Sequence, residues 1–134
     1  MFALSRNARN APETELPASQ LGRGLSVWGL IETDAALYIH GIVRGRIDAG
    51  LLVIEPTGFV HGDIVADEVR IAGRLDGRVF APKVAIADGA LIVGRIFHSE
   101  VSVSKAARID PEARMPWRPP SYFQTLAHLP EIKP

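Results

Sequence analysis

A five-fold internal repeat constrains this chain more than any other feature. Gly29, Gly45, Gly62, Gly77 and Gly94 open successive units, at spacings of 16, 17, 15 and 17 residues. Self-similarity of this period marks an architecture in which each unit leaves its apolar face open until a neighbour stacks on it. Equivalent positions carry equivalent residues. The second residue after each glycine is Ile31, Ile47, Ile64, Val79 or Ile96, and the fourth is Thr33, Ala49, Ala66, Ala81 or His98. Leu37, Leu52, Val69, Val84 and Val101 follow, then Ile39, Ile54, Ile71, Ile86 and Val103. A small residue (Gly41, Gly58, Gly73, Ala90, Ala107) stands two before a last apolar one: Val43, Val60, Leu75, Ile92 or Ile109.

Apolar residues at every second place define short strands with one buried face, about three to a unit. If a unit is one full turn, equivalent side chains stack about 4.8 Å apart and form interior ladders. The expected fold is all-β: a single-stranded parallel β-helix, or β-solenoid, of about five to six coils between residues 21 and 110. Composition agrees. Hydrophobic residues make up 47% of the chain but aromatics only 7%, so Val, Ile, Leu and Ala must fill the core, and that mix suits strands. Length varies at one corner, where His40-Gly41 in one unit becomes Glu55-Pro56-Thr57-Gly58 in the next.

The flanks differ. Residues 1–20 lack sustained periodicity and read as a disordered arm. Its tip, Met1, Phe2 and Leu4 followed by Arg6, suits an anionic bilayer surface, though composition alone reads more simply as an ordinary frayed terminus. Residues 111–134 form a tail rich in Pro, with Trp117, Tyr122 and Phe123 close together. Its prolines are expected to prevent regular strand addition, and a short helical turn is expected near Ser121 to His128.

Outside the coil, Arg46, Asp63 and Arg78 fall at one repeat position and are expected to form an alternating-charge ladder of small energetic weight. Val65, Phe80 and Phe97 fall at another outward position and form a lateral apolar patch. Such patches mark interfaces, and either a partner or the chain's own tail, through Trp117, Tyr122 or Phe123, can cover it.

Chemistry is not visible. The absence of cysteine excludes disulfides and Cys-based zinc sites. Fifteen basic and fifteen acidic residues cancel, so no overall field draws the chain to nucleic acid. No apolar run reaches the roughly 20 residues of a spanning helix, and the N-terminus has no secretory h-region. His40, His61 and His98 occupy three different repeat positions, with His128 in the tail, so no ligand cluster is expected. No nucleotide or nucleophile motif is present, and the glycines are corner residues. No catalytic residue, metal or cofactor is assigned.

With the units aligned, the opening Gly22-Arg23-Gly24…Val27…Gly29 and the recurring Gly-x-Ile/Val…Ala-x-x-Leu/Val-x-Ile resemble the bactofilins, bacterial cytoskeletal proteins. The resemblance runs from about Leu21 to Asp110. It implies a right-handed triangular β-helix whose ends stack into non-polar, nucleotide-independent filaments, often at the cytoplasmic face of the inner membrane. Members commonly begin with a membrane-targeting peptide opening Met-Phe, which Met1-Phe2 with Arg6 resembles. The partners implied are the chain itself, the inner membrane surface and cell-wall enzymes. Physical reasoning agrees, because a solenoid exposes strand edges and apolar side chains at both ends. Leu25, Val27 and Ile31 are expected at one end, and Val101, Val103 and Ile109 at the other. Two alternatives stand beside this reading: an enzyme on a left-handed hexapeptide-type β-helix (acyltransferase or gamma-class carbonic anhydrase), and a non-polymerising adaptor docking a partner on the apolar wall. The drifting unit length and unaligned histidines weigh against the first.

Overall fold

A computed structural model describes residues 18–127 of the chain, and the side chains of residues 19–123. Ten strands, β1 (Ala18–Leu21), β2 (Ser26–Glu32), β3 (Ala36–Ile39), β4 (Ile42–Ile54), β5 (Phe59–Ile71), β6 (Arg74–Phe80), β7 (Lys83–Ile86), β8 (Leu91–Phe97), β9 (Glu100–Val103) and β10 (Arg108–Ile109), precede one helix, α1 (Pro120–Ala127). All strand pairs are parallel. The chain winds as a β-solenoid, and each turn crosses three walls.

The register defines those walls. Rungs 26–28, 42–44, 59–61, 74–76, 91–93 and 108–109 stack on the first wall. Rungs 30–32, 46–48, 63–65, 78–80 and 95–97 stack on the second. On the third lie β1, β3, 51–54, 68–71, β7 and β9, so its first and last rungs are five turns apart. The long strands β4 and β5 bend round the corners and serve all three walls.

Inside, the predicted ladders form the core. Ile39, Ile54 and Ile71 are fully buried in one column, Ile47, Ile64, Val79 and Ile96 in a second, and Val43, Val60, Leu75 and Ile92 in a third. Burying each such side chain contributes about 1.5–3 kcal/mol before chain entropy is counted, so the core must repeat to hold the fold.

The repeat glycines stack at the corner between the first and second walls, where φ lies at +124° for Gly29 and +143° for Gly62. A side chain is strained at that φ. Position adds a second reason in the interior. A Cβ on Gly62 would overlap the carbonyl oxygen of Gly45 and sit 2.8 Å from its carbonyl carbon, whereas a Cβ on Gly29 would meet nothing within 4 Å. The difference is the rung beneath.

The solenoid starts earlier and ends later than its repeat. Residues 18–20, expected in the arm, belong to β1, whose Leu21 packs against the core. Beyond Asp110 the prolines do not stop rung formation; they reduce it. Isolated bridges join Arg95 to Arg114 and His98 to Trp117, completing a last rung on the second wall. The expected helical turn is α1, with His128 outside the described residues.

Candidate polymerisation ends and the covered wall

The two ends follow from the ladders being cut. At the N-terminal end Leu21, Val27 and Ile31 pack on the core from above only and stay half-buried, because no rung precedes them. Leu25 lies beside them but not on a ladder. It occupies the corner position that Gly41 fills one turn later, and it is 48% exposed. Gly41 is excluded from carrying a side chain by the carbonyls of Leu25 and Gly22, while Leu25 has no rung beneath to collide with.

At the C-terminal end Val101, Ala107, Ile109 and Met115 are half-buried against the last core layer. Val103 shows the truncation most directly. Its ladder partners Ile39, Ile54, Ile71 and Ile86 are at most 2% exposed, yet Val103 is 44% exposed. Among the described residues no further rung pairs with its strand. Met115 belongs to this end and escaped the sequence reading, because the last turn inserts Pro111-Glu112 and opens with Ala113 instead of glycine.

The tail as far as Ala127 does not close the end it leaves. Gly94 O accepts from Arg114 N–H at 2.9 Å, Ile96 N–H donates to Arg114 O at 2.8 Å, and Arg118 N–H donates to His98 O at 2.8 Å. These bonds hold the segment on the second wall as a rung. Ser99 Oγ then donates to Arg118 O at 2.6 Å, and the chain turns outward into α1. There Phe123 covers Phe80, which is 4% exposed. Phe97 stacks on Phe80 at 4.8 Å between ring centroids, and Tyr122 lies 6.3 Å from Phe97 and edge-on to Phe123 at 5.2 Å. The Arg118 guanidinium lies over both Phe97 and Tyr122, at 5.3 and 5.6 Å. The patch of Val65, Phe80 and Phe97 is therefore covered by the chain's own Tyr122 and Phe123. Trp117, the third candidate, is exposed at the end of the solenoid.

The charge ladder is present in part. Arg78 grips Asp63 with two bonds of 2.9 and 2.7 Å across adjacent rungs. Arg46 turns instead to Asp48 on its own strand, at 2.8 and 3.2 Å. That hydrogen bond, with the charge of Asp48, raises the guanidinium pKa against the opposing effect of burial. Asp48 shares the face of Arg46, as residues two apart on a strand do, while Asp63 is already held by Arg78.

The histidines stay apart. His98 is buried in the Ala column, with Nε2 3.0 Å from Met115 O and Nδ1 without a partner. His61 faces Asp76 at 3.4 Å on the first wall, and His40 lies half-buried at a corner. Among the described residues no group of three His, Cys, Asp or Glu side chains is placed to hold a metal ion. No helix among them is long and apolar enough to cross a membrane.

A solenoid of this register, with cut ladders at both ends, has known relatives. The bactofilin family model, described as polymer-forming cytoskeletal, matches residues 19–114. The chain belongs to the bactofilin family. It is 32% identical to bactofilin BacO of Myxococcus xanthus (strain DK1622) over 114 residues, covering 68% of this chain and 90% of that one. Its fold is similar to bactofilin BacA, solved by solid-state NMR, with a TM-score of 0.70 and 26% identity over 76% of this chain and 97% of that one. It is also similar to the Thermus thermophilus bactofilin seen by cryo-EM in double helical filaments, with a TM-score of 0.66 and 22% identity over 75% and 99%. As a bactofilin the chain is a member of a structural, polymer-forming family.

Proposed function

We propose that this bactofilin assembles by end-to-end stacking of its solenoids, without nucleotide, into filaments that scaffold partners such as cell-wall enzymes. The observation that carries this is Val103: an interior ladder residue left 44% exposed, at an end where α1 turns aside onto the second wall. Stacking a second copy supplies the missing rung and buries Val101, Val103, Ile109 and Met115 together. Val27 and Ile31 offer the corresponding surface at the other end, with Leu25 at its rim. With both ends able to stack, each added copy leaves one end open, so the contacts build an open polymer.

The cytoplasmic face of the inner membrane is the proposed location, with Met1, Phe2, Leu4 and Arg6 as the attachment. These residues lie outside the described part of the chain. Two apolar side chains and one arginine give weak attachment singly and firm attachment only when many copies act together.

Negative-stain electron microscopy of the purified protein in nucleotide-free buffer tests the polymer. Filaments are expected for the unmodified chain. Val103→Lys puts a charge at the cut ladder and is expected to abolish them while the strand spectrum and melting behaviour persist. Filaments that survive this change would exclude stacking through the C-terminal end.

A further inference from the structure

Outward positions on the first wall form two columns along the solenoid. Ser26, Ile42, Phe59, Arg74, Leu91 and Arg108 stack in one, and Trp28, Arg44, His61, Asp76 and Val93 in the other. Six rungs at strand spacing make a flat strip roughly 24 Å long. The other walls pair more of their charge, leaving Arg95 on the second and Lys83 on the third exposed and outside any ion pair among the described residues. On the second, Arg46 and Arg78 are held by Asp48 and Asp63, and one half lies under Tyr122 and Phe123. On the third, Arg70 is paired with Glu68. On the first, Arg44, Arg74 and Arg108 are exposed and form no ion pair among the described residues. Arg44 and Arg74 instead rest on the face of Phe59, 5.9 and 5.0 Å from its centroid. Trp28 stands at one edge of the strip, 77% exposed.

Resting on the membrane-associated filament proposed above, the geometry points to the first wall as the side of the solenoid laid against an anionic lipid surface. Each part of the strip suits that partner. An indole has an apolar body and a polar N–H, and settles at the boundary between headgroup and acyl chain. A guanidinium stacked on an aromatic ring keeps its donors free for phosphate, which it meets with two parallel bonds. Arginine carries an apolar stem that tolerates the acyl boundary while its charge reaches the headgroups, and Ile42, Phe59 and Leu91 share the same column. Two carboxylates lie on the same wall, Asp76 beside His61 and Asp110, which accepts from Glu112 N–H in its own turn, and the three arginines outnumber them. Stacked copies repeat the strip along one line, so weak single contacts sum. Duplex nucleic acid, the other large polyanion, is served less well. The strip offers no helix or ribbon to enter a groove, and phosphates leave Leu91 and Val93 unsatisfied.

The test uses the full chain carrying Trp117→Phe, which leaves Trp28 as the reporter, since the sequence has two tryptophans. It is mixed with phosphatidylcholine vesicles, with and without phosphatidylserine, whose acyl chains are brominated. The expected result is a shift of Trp28 emission to shorter wavelength with bromine quenching on the phosphatidylserine vesicles alone. The Trp28→Phe chain, reporting from Trp117, shows no quenching. Arg44→Gln with Arg74→Gln weakens vesicle binding roughly thirtyfold, about a factor of five for each arginine near the surface, with filaments retained. Co-sedimentation with anionic vesicles and an unquenched Trp28 overturns the wall and leaves attachment through the arm standing. No co-sedimentation of the full chain overturns both. A blue shift without bromine quenching reports self-association and overturns the wall, as does saturable binding to duplex DNA at physiological salt without vesicle quenching.

Discussion

Gly62→Ala and Gly29→Ala alter the same repeat position and separate two reasons for glycine. Both residues have strongly positive φ, and placing an alanine there costs about 1–3 kcal/mol in either case. Only Gly62 has a rung beneath it. Its new methyl would overlap Gly45 O and lie 2.8 Å from the carbonyl carbon and 3.0 Å from the nitrogen of Gly45, all backbone atoms that no rotamer change can move. Restoring van der Waals contact means parting two rungs by roughly 1 Å, which weakens about three ladder hydrogen bonds worth about 1 kcal/mol each. Gly62→Ala is therefore expected to lose about 3 kcal/mol more than Gly29→Ala, a large part of the 5–15 kcal/mol of an ordinary domain. Urea titration followed by far-ultraviolet circular dichroism measures this, with both changes placed in the Val103→Lys chain so that stacking does not add to stability. Equal losses, within about 1 kcal/mol, would show that φ alone demands the glycine and that the rungs yield freely.

Ending the chain after Pro119 removes Tyr122 and Phe123, so binding of an apolar fluorescent dye should rise and stability should fall by about 2–4 kcal/mol, with filaments retained; unchanged dye fluorescence would contradict the covering of Phe80. His98→Ala restores the residue type of its ladder and removes a buried nitrogen without a partner, so the melting curve should move by less than the equivalent of about 1 kcal/mol, and a larger loss would show that the bond to Met115 O holds the last rung. Asp63→Asn should cost under about 1 kcal/mol, because the pair with Arg78 is partly exposed and its loss is screened by salt; a loss of several kcal/mol in thermal denaturation would make the charge ladder a structural element.

The interior was legible because each buried residue is fixed by one rule, alternation, and is repeated one turn later in the same register. Ile47, Ile64, Val79 and Ile96 need no structure to be aligned. The ends were less legible for the same reason: there the repeat degrades. Ala18-Ser19-Gln20-Leu21 forms a rung with only Leu21 as a large inward residue, so alternation gives no signal. The last rung hides behind Pro111-Glu112 and Ala113. Side-chain partners depend on distances that a strand pattern does not contain. Arg46 could reach Asp48 or Asp63, and only geometry selects the first. The choice between the tail and a partner for Phe80 likewise required knowing that Arg118 is bound to His98 and turns the chain back along the wall.

The route of that segment has a consequence for what a bactofilin of this kind can carry. A chain that left through the axis would place anything attached to it between neighbouring solenoids. Here Arg118 to Ala127 departs sideways, so in the stacking proposed above a partner docked beside Tyr122 would sit on the flank of the polymer. In that polymer every subunit would present the same flank. Loading and growth would then use different surfaces, and neither would have to wait for the other.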